Sequence, residues 1–285
     1  MRCFGPTAPT IVMLLTCAVG SPQERDRIQP LAASGLTAQG WEVLDKGLSD
    51  TNDKHRQQVV LAAGIIGPSS EAVKFIGGAR KDKSPLVRST VAAVFGELKS
   101  PDSMPYLREL LDDNPEVSFT AARALCEMGD PQGREFLQQV LTGDRKDTPG
   151  FAAKNLKYAK KKFTPLEIAR MGVNEAAGIL LGPASIGIIV GEEAAKAQAS
   201  GKPAESGRVI AASTLADHPD DYTRTLLEWA LSDSKAEVRA AAAKGLAKCG
   251  NTESIPKLQA VLNDEHAAVR YMAAASVIRL TSAAR

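Results

Sequence analysis

The apolar positions of this chain recur in one helical pattern. In residues 235–250, Arg239 is followed by Ala242 and Ala243 three and four positions on, by Leu246 seven on and by Gly250 eleven on. Those offsets lie on one face of a helix of 3.6 residues per turn. Copies are anchored at Arg270 (Ala273, Ala274, Val277), Arg208 (Ala211, Ala212, Leu215), Ser118 (Ala121, Ala122, Leu125), Arg88 (Val91, Ala92, Phe95) and Arg56 (Val59, Val60, Ala63). A degraded copy sits at Pro149, with Ala152, Ala153 and Leu156. Neighbouring anchors stand 30 to 32 residues apart, except for one gap of 59 between Pro149 and Arg208. A fixed period of this size marks a repeat array, because each unit buries its apolar face only against its neighbours. The pattern predicts an all-α fold: an α-solenoid of stacked antiparallel helix pairs, about seven to eight repeats long.

Proline and glycine punctuate the helices. Pro85, Pro101, Pro115 and Pro131 each open one, since a proline in the first turn lacks an N–H that would have no partner there. The first helix is expected at 41–48 and its partner at 54–66. The array divides into 38–160 and 204–285. Between them, 161–203 is irregular. The uncharged run 176–190 has 15 residues and contains Gly182-Pro183, too short and too broken for a membrane span of about 20. Residues 1–20 have the shape of an export signal, with Arg2, a short apolar stretch and Ala18-Val19-Gly20 before Ser21. Leu14-Leu15-Thr16-Cys17 offers lipid attachment through Cys17 as an alternative. Residues 21–37 read as a linker.

A second regularity is charged. Asp50, Asp82, Asp112, Asp233 and Asp264 each stand six residues before an anchor, and the anchor is Arg56, Arg88, Arg208, Arg239 or Arg270 in five copies of seven. An aspartate before a helix can cap its free N–H groups. It can also pair with an arginine of its own or the next repeat, so these residues are expected to form a structural ladder.

The set Asp233, Val238-Arg239, Ala242-Ala243, Leu246 and Gly250, with its copies, resembles HEAT repeats. The likeness is to the short bacterial HEAT repeats also found in phycobilisome-lyase-type proteins. It covers about 38–160 and 204–282 and implies the fold, while such arrays serve many functions. Some HEAT-repeat enzymes hold di-iron through His-Glu pairs. This chain has no His-Glu dipeptide, only Glu265-His266 in reverse order, so that activity is not carried over.

Composition narrows the reading. Thirty-five basic and 33 acidic residues leave a net charge of +2, without the basic bias of a nucleic-acid binder. His55, His218 and His266 lie in different repeats, and no histidine or cysteine pair has metal-ligand spacing. Ser185 lacks the leading glycine of a nucleophile elbow, because position 183 is proline. No catalytic residue, cofactor site or metal site is therefore expected. Lys160, Lys161 and Lys162, next to the apolar Leu180, Leu181, Ile186, Ile188 and Ile189, are the candidate partner or membrane contact. The expectation is a non-enzymatic protein-binding scaffold, exported to the periplasm or cell envelope, with a protein partner and no nucleic acid. The alternatives are a membrane-peripheral accessory factor working through the lysines and the apolar run, and a lyase-type HEAT protein.

Overall fold

The computed structural model describes residues 22–145 and 204–283, and among them the regular structure is helical. The α-helices are α1 (Pro22–Leu48), α2 (Asp53–Ile66), α3 (Ser70–Gly78), α4 (Pro85–Leu98), α5 (Met104–Glu109), α6 (Pro115–Glu127), α7 (Pro131–Thr142), α8 (Ala204–Ala216), α9 (Asp221–Ala230), α10 (Ala236–Cys249), α11 (Ile255–Ala260) and α12 (Ala267–Ala283). Side-chain oxygens cap several of them: Asn52 accepts from the Lys54 N–H, Asn114 from Val117, Asp130 from Gln132 and Asp220 from Thr223. Gly129, at φ 82°, makes the left-handed turn between α6 and α7 without the strain a Cβ would bring.

The anchored helices α8, α10, α12, α2, α4 and α6 stack side by side, in that spatial order, as one layer. The helices that precede them in sequence form the other layer. Alanine makes the close stacking possible. Ala62, Ala63, Ala92, Ala121, Ala242, Ala243, Ala273 and Ala274 are fully buried, with Val59, Val91, Phe95, Leu125 and Leu246 filling the spaces between helices.

The stacking order does not follow the chain. The last helix, α12, packs against α1 and α2, so the C-terminal repeats precede the N-terminal ones in the array and the two ends of the described chain meet near its middle. α12 is buried along most of its surface, with Val269, Met272, Ala275, Val277 and Ile278 enclosed by neighbouring helices. Glycines on α1 admit it. A Cβ on Gly40 would lie 2.8 Å from Ile278 Cγ1, and one on Gly47 2.6 Å from Tyr271 Cε1. Thr37 and Thr281 share a hydroxyl hydrogen bond of 2.9 Å across this seam, and Arg279 donates to the Ile65 carbonyl at 2.8 Å.

One boundary differs from the sequence reading. α1 begins at Pro22 rather than at Trp41, so the stretch 21–37 is helical from Pro22 on and not a linker. Thr37, Gly40 and Gly47 of α1 lie against α12, a long-range contact that supports helix. Residues 1–20, Cys17 among them, and the whole of 161–203 lie outside the described residues.

Candidate functional site

The charged residues occupy two places on this scaffold. The first is the line of turns that enter the anchored helices. Arg56 donates from Nε and Nη2 to the two carboxylate oxygens of Asp82 at 2.7 and 2.8 Å, and from Nη1 to the Asp50 carbonyl at 2.9 Å. Arg239 repeats this with Asp264 at 2.8 and 2.8 Å and with the Asp233 carbonyl at 2.9 Å. Arg208 pairs with Asp233, and Arg270 donates to the Asp264 carbonyl at 2.8 Å. Each arginine thus clamps its own turn or grips the aspartate of the next repeat, and Arg56, Arg88 and Arg239 do both. The aspartate in turn accepts the backbone N–H two residues on: Asn52 for Asp50, Ser84 for Asp82, Lys235 for Asp233 and His266 for Asp264.

Two rungs depart from the sequence pattern. Arg88 pairs with Asp113, at 2.6 and 2.7 Å, and not with Asp112. Asp112 ends the short 3₁₀ turn after α5, and Asp113, directly before the Asn114 cap, is the carboxylate that faces α4. At the seam, Asp50 bonds His55 Nδ1 at 2.8 Å, while Arg270 stacks over Tyr271, 5.8 Å from the ring centroid.

The ladder sets an acid response. Burial pushes the Asp82 and Asp264 carboxyls upward, but the facing arginine and the backbone N–H outweigh it and hold both below the ordinary 3.8; at Asp113 the Arg88 hydrogen bonds lead in the same direction. In the unfolded chain these groups bind protons first as pH falls, so their contribution is complete above the unfolded value and is lost as pH drops through the lower folded values. Helicity followed by circular dichroism is expected to hold from neutral pH to about 5 and then fall cooperatively below about 4. Asp82→Asn should make the protein less stable at neutral pH and its acid transition shallower. An acid transition of unchanged slope in that variant would count against the assignment.

The second place is the inward face of the stacked layer. Positions two, five and nine after each anchor point away from the buried stripe. Nine on stand Asp217, Lys248, Arg279, Ile65, Glu97 and Glu127, in spatial order from α8 to α6, and five on stand Ser213, Lys244, Ala275, Leu61, Ala93 and Arg123. The layer curls: α10 also touches α2, past the α12 that lies between them. Curling also covers the inward side of α12, where Met272 and Ala275 are fully buried. Lys244, Lys248 and Arg279 stand towards one end of this face, where Lys248 pairs with Asp217 at 2.5 Å; Leu61, Ile65 and Ala93 stand at the centre, and Glu97, Glu127 and Arg123 towards the other end.

The sequence reading passes over Glu97 and Lys244. Alignment of the repeat copies by their anchors carries the signal: charge at Lys244, Arg123 and Glu97 falls on the face opposite the alanine stripe. The Lys160–Lys162 cluster and the apolar Leu180, Leu181, Ile186, Ile188 and Ile189 lie outside the described residues. Among the described residues no helix is long and apolar enough to cross a membrane.

Histidine is not gathered anywhere. His55 is held by Asp50, His266 sits beside Asp264 and Glu265, and His218 is exposed at the end of α8. Among the described residues no three His, Cys, Asp or Glu side chains are grouped to hold a metal ion.

An α-solenoid of paired helices, stapled by an Arg–Asp ladder and curled around a charged inner face, defines a repeat-protein class. A family model for HEAT repeats matches residues 74–156 and 193–279, and the chain belongs to the HEAT-repeat family. Among curated proteins it is similar to deoxyhypusine hydroxylase of Emericella nidulans, 35% identical over 127 residues, which are 40% of this chain and 38% of the relative. Proteins of the same name in Aspergillus oryzae (44% over 68 residues, 23% of this chain and 20% of the relative) and Neurospora crassa (35% over 105 residues, 33% and 32%) are also similar. The chain therefore spans well under half the length of these relatives. Among solved structures, human deoxyhypusine hydroxylase in complex with glycerol aligns over 90% of this chain and 99% of its own, at 18% identity and a TM-score of 0.29.

These relatives correct the functional expectation. They are enzymes by name, so the reading as a non-enzymatic scaffold is overturned, and the lyase-type alternative is no better supported. Export to a periplasm or cell envelope is contradicted by the same comparison, whose relatives are fungal proteins named deoxyhypusine hydroxylase. The composition points the wrong way because the repeat motif encodes stacking, whereas the chemistry of a solenoid enzyme rests on a few inward positions that vary from copy to copy.

Proposed function

We propose that this chain is an enzyme-related HEAT solenoid that takes a deoxyhypusine-bearing protein on its curled inner face and acts on that side chain. The observation that carries this reading is the 33–44% identity of its repeats to proteins named deoxyhypusine hydroxylase. The inner face supports it, because it is where the layer's charged residues stand unconstrained by the ladder. A His-Glu di-iron set does not fit the residues present: the three histidines stand on separate repeats, two of them beside ladder aspartates, and no His-Glu dipeptide occurs. We also propose that the repeats are of the short bacterial type, which the 31-residue spacing of Arg208, Arg239 and Arg270 supports.

The test is to mix the purified chain with a deoxyhypusine-bearing protein and with its unmodified lysine form. Binding is read by calorimetry and any change of the deoxyhypusine side chain by intact mass. Preferential binding of the modified form, with a mass change confined to it, is expected; neither binding nor mass change would overturn the proposal.

A further inference from the structure

The Arg–Asp ladder is broken at the seam, and a histidine stands in the break. Arg56, Arg88 and Arg239 are bound alike. Nη1 donates to the carbonyl six residues back, and Nε and Nη2 grip the aspartate of the next stacked turn. Arg270 keeps only the first half of this arrangement. Its Nη1 donates to the Asp264 and Glu265 carbonyls at 2.8 and 3.0 Å, and among the described residues no carboxylate is hydrogen-bonded to it. The helix after α12 in the stack is α2, so the aspartate in register with Arg270 is Asp50. Both oxygens of that carboxylate are engaged within its own turn. Oδ1 accepts the Asn52 N–H at 2.8 Å, and Oδ2 meets His55 Nδ1 at 2.8 Å.

The histidine is itself a departure from the repeat. Directly before four other anchors stand Val87, Val117, Val238 and Val269, all buried. Directly before Arg56 stands His55, 38% exposed at its side chain. A valine cannot compete for a carboxylate, whereas a histidine can, and its hold depends on its charge. Protonated, the ring makes a charge-assisted hydrogen bond; neutral, it makes an ordinary one of roughly half the strength. An arginine keeps its charge throughout. Tyr271 connects the two sides of the break. The Arg270 guanidinium lies 5.8 Å from the centroid of its ring, and the ring packs on Gly47, where an added Cβ would lie 2.6 Å from Cε1. The Gly47 carbonyl in turn accepts the Asp50 N–H at 3.2 Å.

We propose that His55 is a pH-sensitive latch on the seam between α12 and α2. Protonated, it keeps Asp50 within its own turn and leaves the rung open. Neutral, it yields Asp50 to Arg270, and the ladder then runs unbroken from Arg208 to Asp113. The other charged groups around the latch are Asp53 and Arg56 on α2, Asp82 behind Arg56, and Asp264, Glu265 and His266 before α12. Arg56 is no rival for the Asp50 carboxylate, because Asp82 and the Asp50 and Thr51 carbonyls occupy it. His266, 3.8 Å from Asp264 and 3.3 Å from Glu265, is the other histidine beside the seam and serves as the control. The latch does not rest on the enzymatic reading above.

The experiment follows the Arg270 Nε–H and the His55 ring of the full chain by nuclear magnetic resonance between about pH 6 and pH 8. Exchange of an arginine Nε–H with water quickens as pH rises. In the parent, the Arg270 signal is expected to run against that trend and to become more protected at the upper end, with the midpoint of the His55 ring. Backbone amides of α12, corrected for their intrinsic pH dependence, should exchange about threefold more slowly or better once the rung closes. His55→Val should show the protected signal at both ends, and Asp50→Asn at neither. His55→Gln, a polar side chain that does not titrate, should remove the pH dependence even if the valine variant folds poorly. His266→Gln should behave as the parent does. An Arg270 signal that follows the intrinsic trend in the parent, a response that survives in His55→Gln, or one that disappears in His266→Gln would overturn the latch.

Discussion

Arg56→Ala is expected to destabilise the protein by about 3–5 kcal/mol, the usual cost of stranding one member of a buried ion pair. Arg56 and Asp82 are 4% and 11% exposed at their side chains, the most enclosed rung of the ladder. The arginine makes two carboxylate hydrogen bonds and two more to the Asp50 and Thr51 carbonyls, at 2.9 and 3.0 Å. Its removal leaves Asp82 with only the Ser84 N–H to offset burial. In a chain of this size the loss corresponds to a fall in melting temperature of roughly 10 °C or more. The matched control replaces both charges, as Arg56→Met with Asp82→Leu. Two apolar side chains need no partner, so the double variant should lose clearly less than the sum of the single changes. Additive losses in a double-mutant cycle would mean that the two charges do not act on each other, and that the ladder is a by-product of helix capping.

That rung is legible in the amino-acid sequence because a repeat states its rules many times. The offset from each aspartate to its arginine recurs at Asp50, Asp82, Asp233 and Asp264, and the folded array places those pairs in consecutive turns. The offset picks the wrong residue at Asp112, where two adjacent aspartates compete for the same role and only the direction of the turn selects Asp113. The inner face is harder to read. Which charges share that face follows from how the helices stack, a property summed over the whole layer and invisible in any one helix. The start of α1 is illegible for a related reason: residues 21–37 have loop-like composition, and the surface that orders the turns after them belongs to residues over two hundred positions away.

The seam between α12 and α1 carries the largest expected effect. Nothing in a linear repeat array requires its last helix to touch its first, yet among the described residues α12 is the helix that joins α8–α11 to α1–α7 most extensively. Its removal, by ending the chain after His266, would expose Leu44, Val59 and Val60 of the first repeats and Ala243 and Leu246 of the last, all fully buried in the folded chain. Burial of each valine or leucine contributes about 1.5–3 kcal/mol, so a handful of such losses matches the roughly 5–15 kcal/mol that holds a whole domain together. The truncated chain is therefore expected to lose its cooperative thermal transition and to be cut rapidly by protease within α1. Gly40→Leu is the graded version. Its side chain would meet Ile278 and the Ala274 carbonyl, and should cost about 1–3 kcal/mol or more, while Gly35→Ala, with nothing within 4 Å of the added carbon, should be close to neutral. If the truncated protein instead keeps a sharp melt and a protected α1, the N-terminal repeats stand on their own. The seam would then be a contact between two finished arrays. A cooperative loss would make it the core of a single array whose ends are supplied by the middle of the sequence.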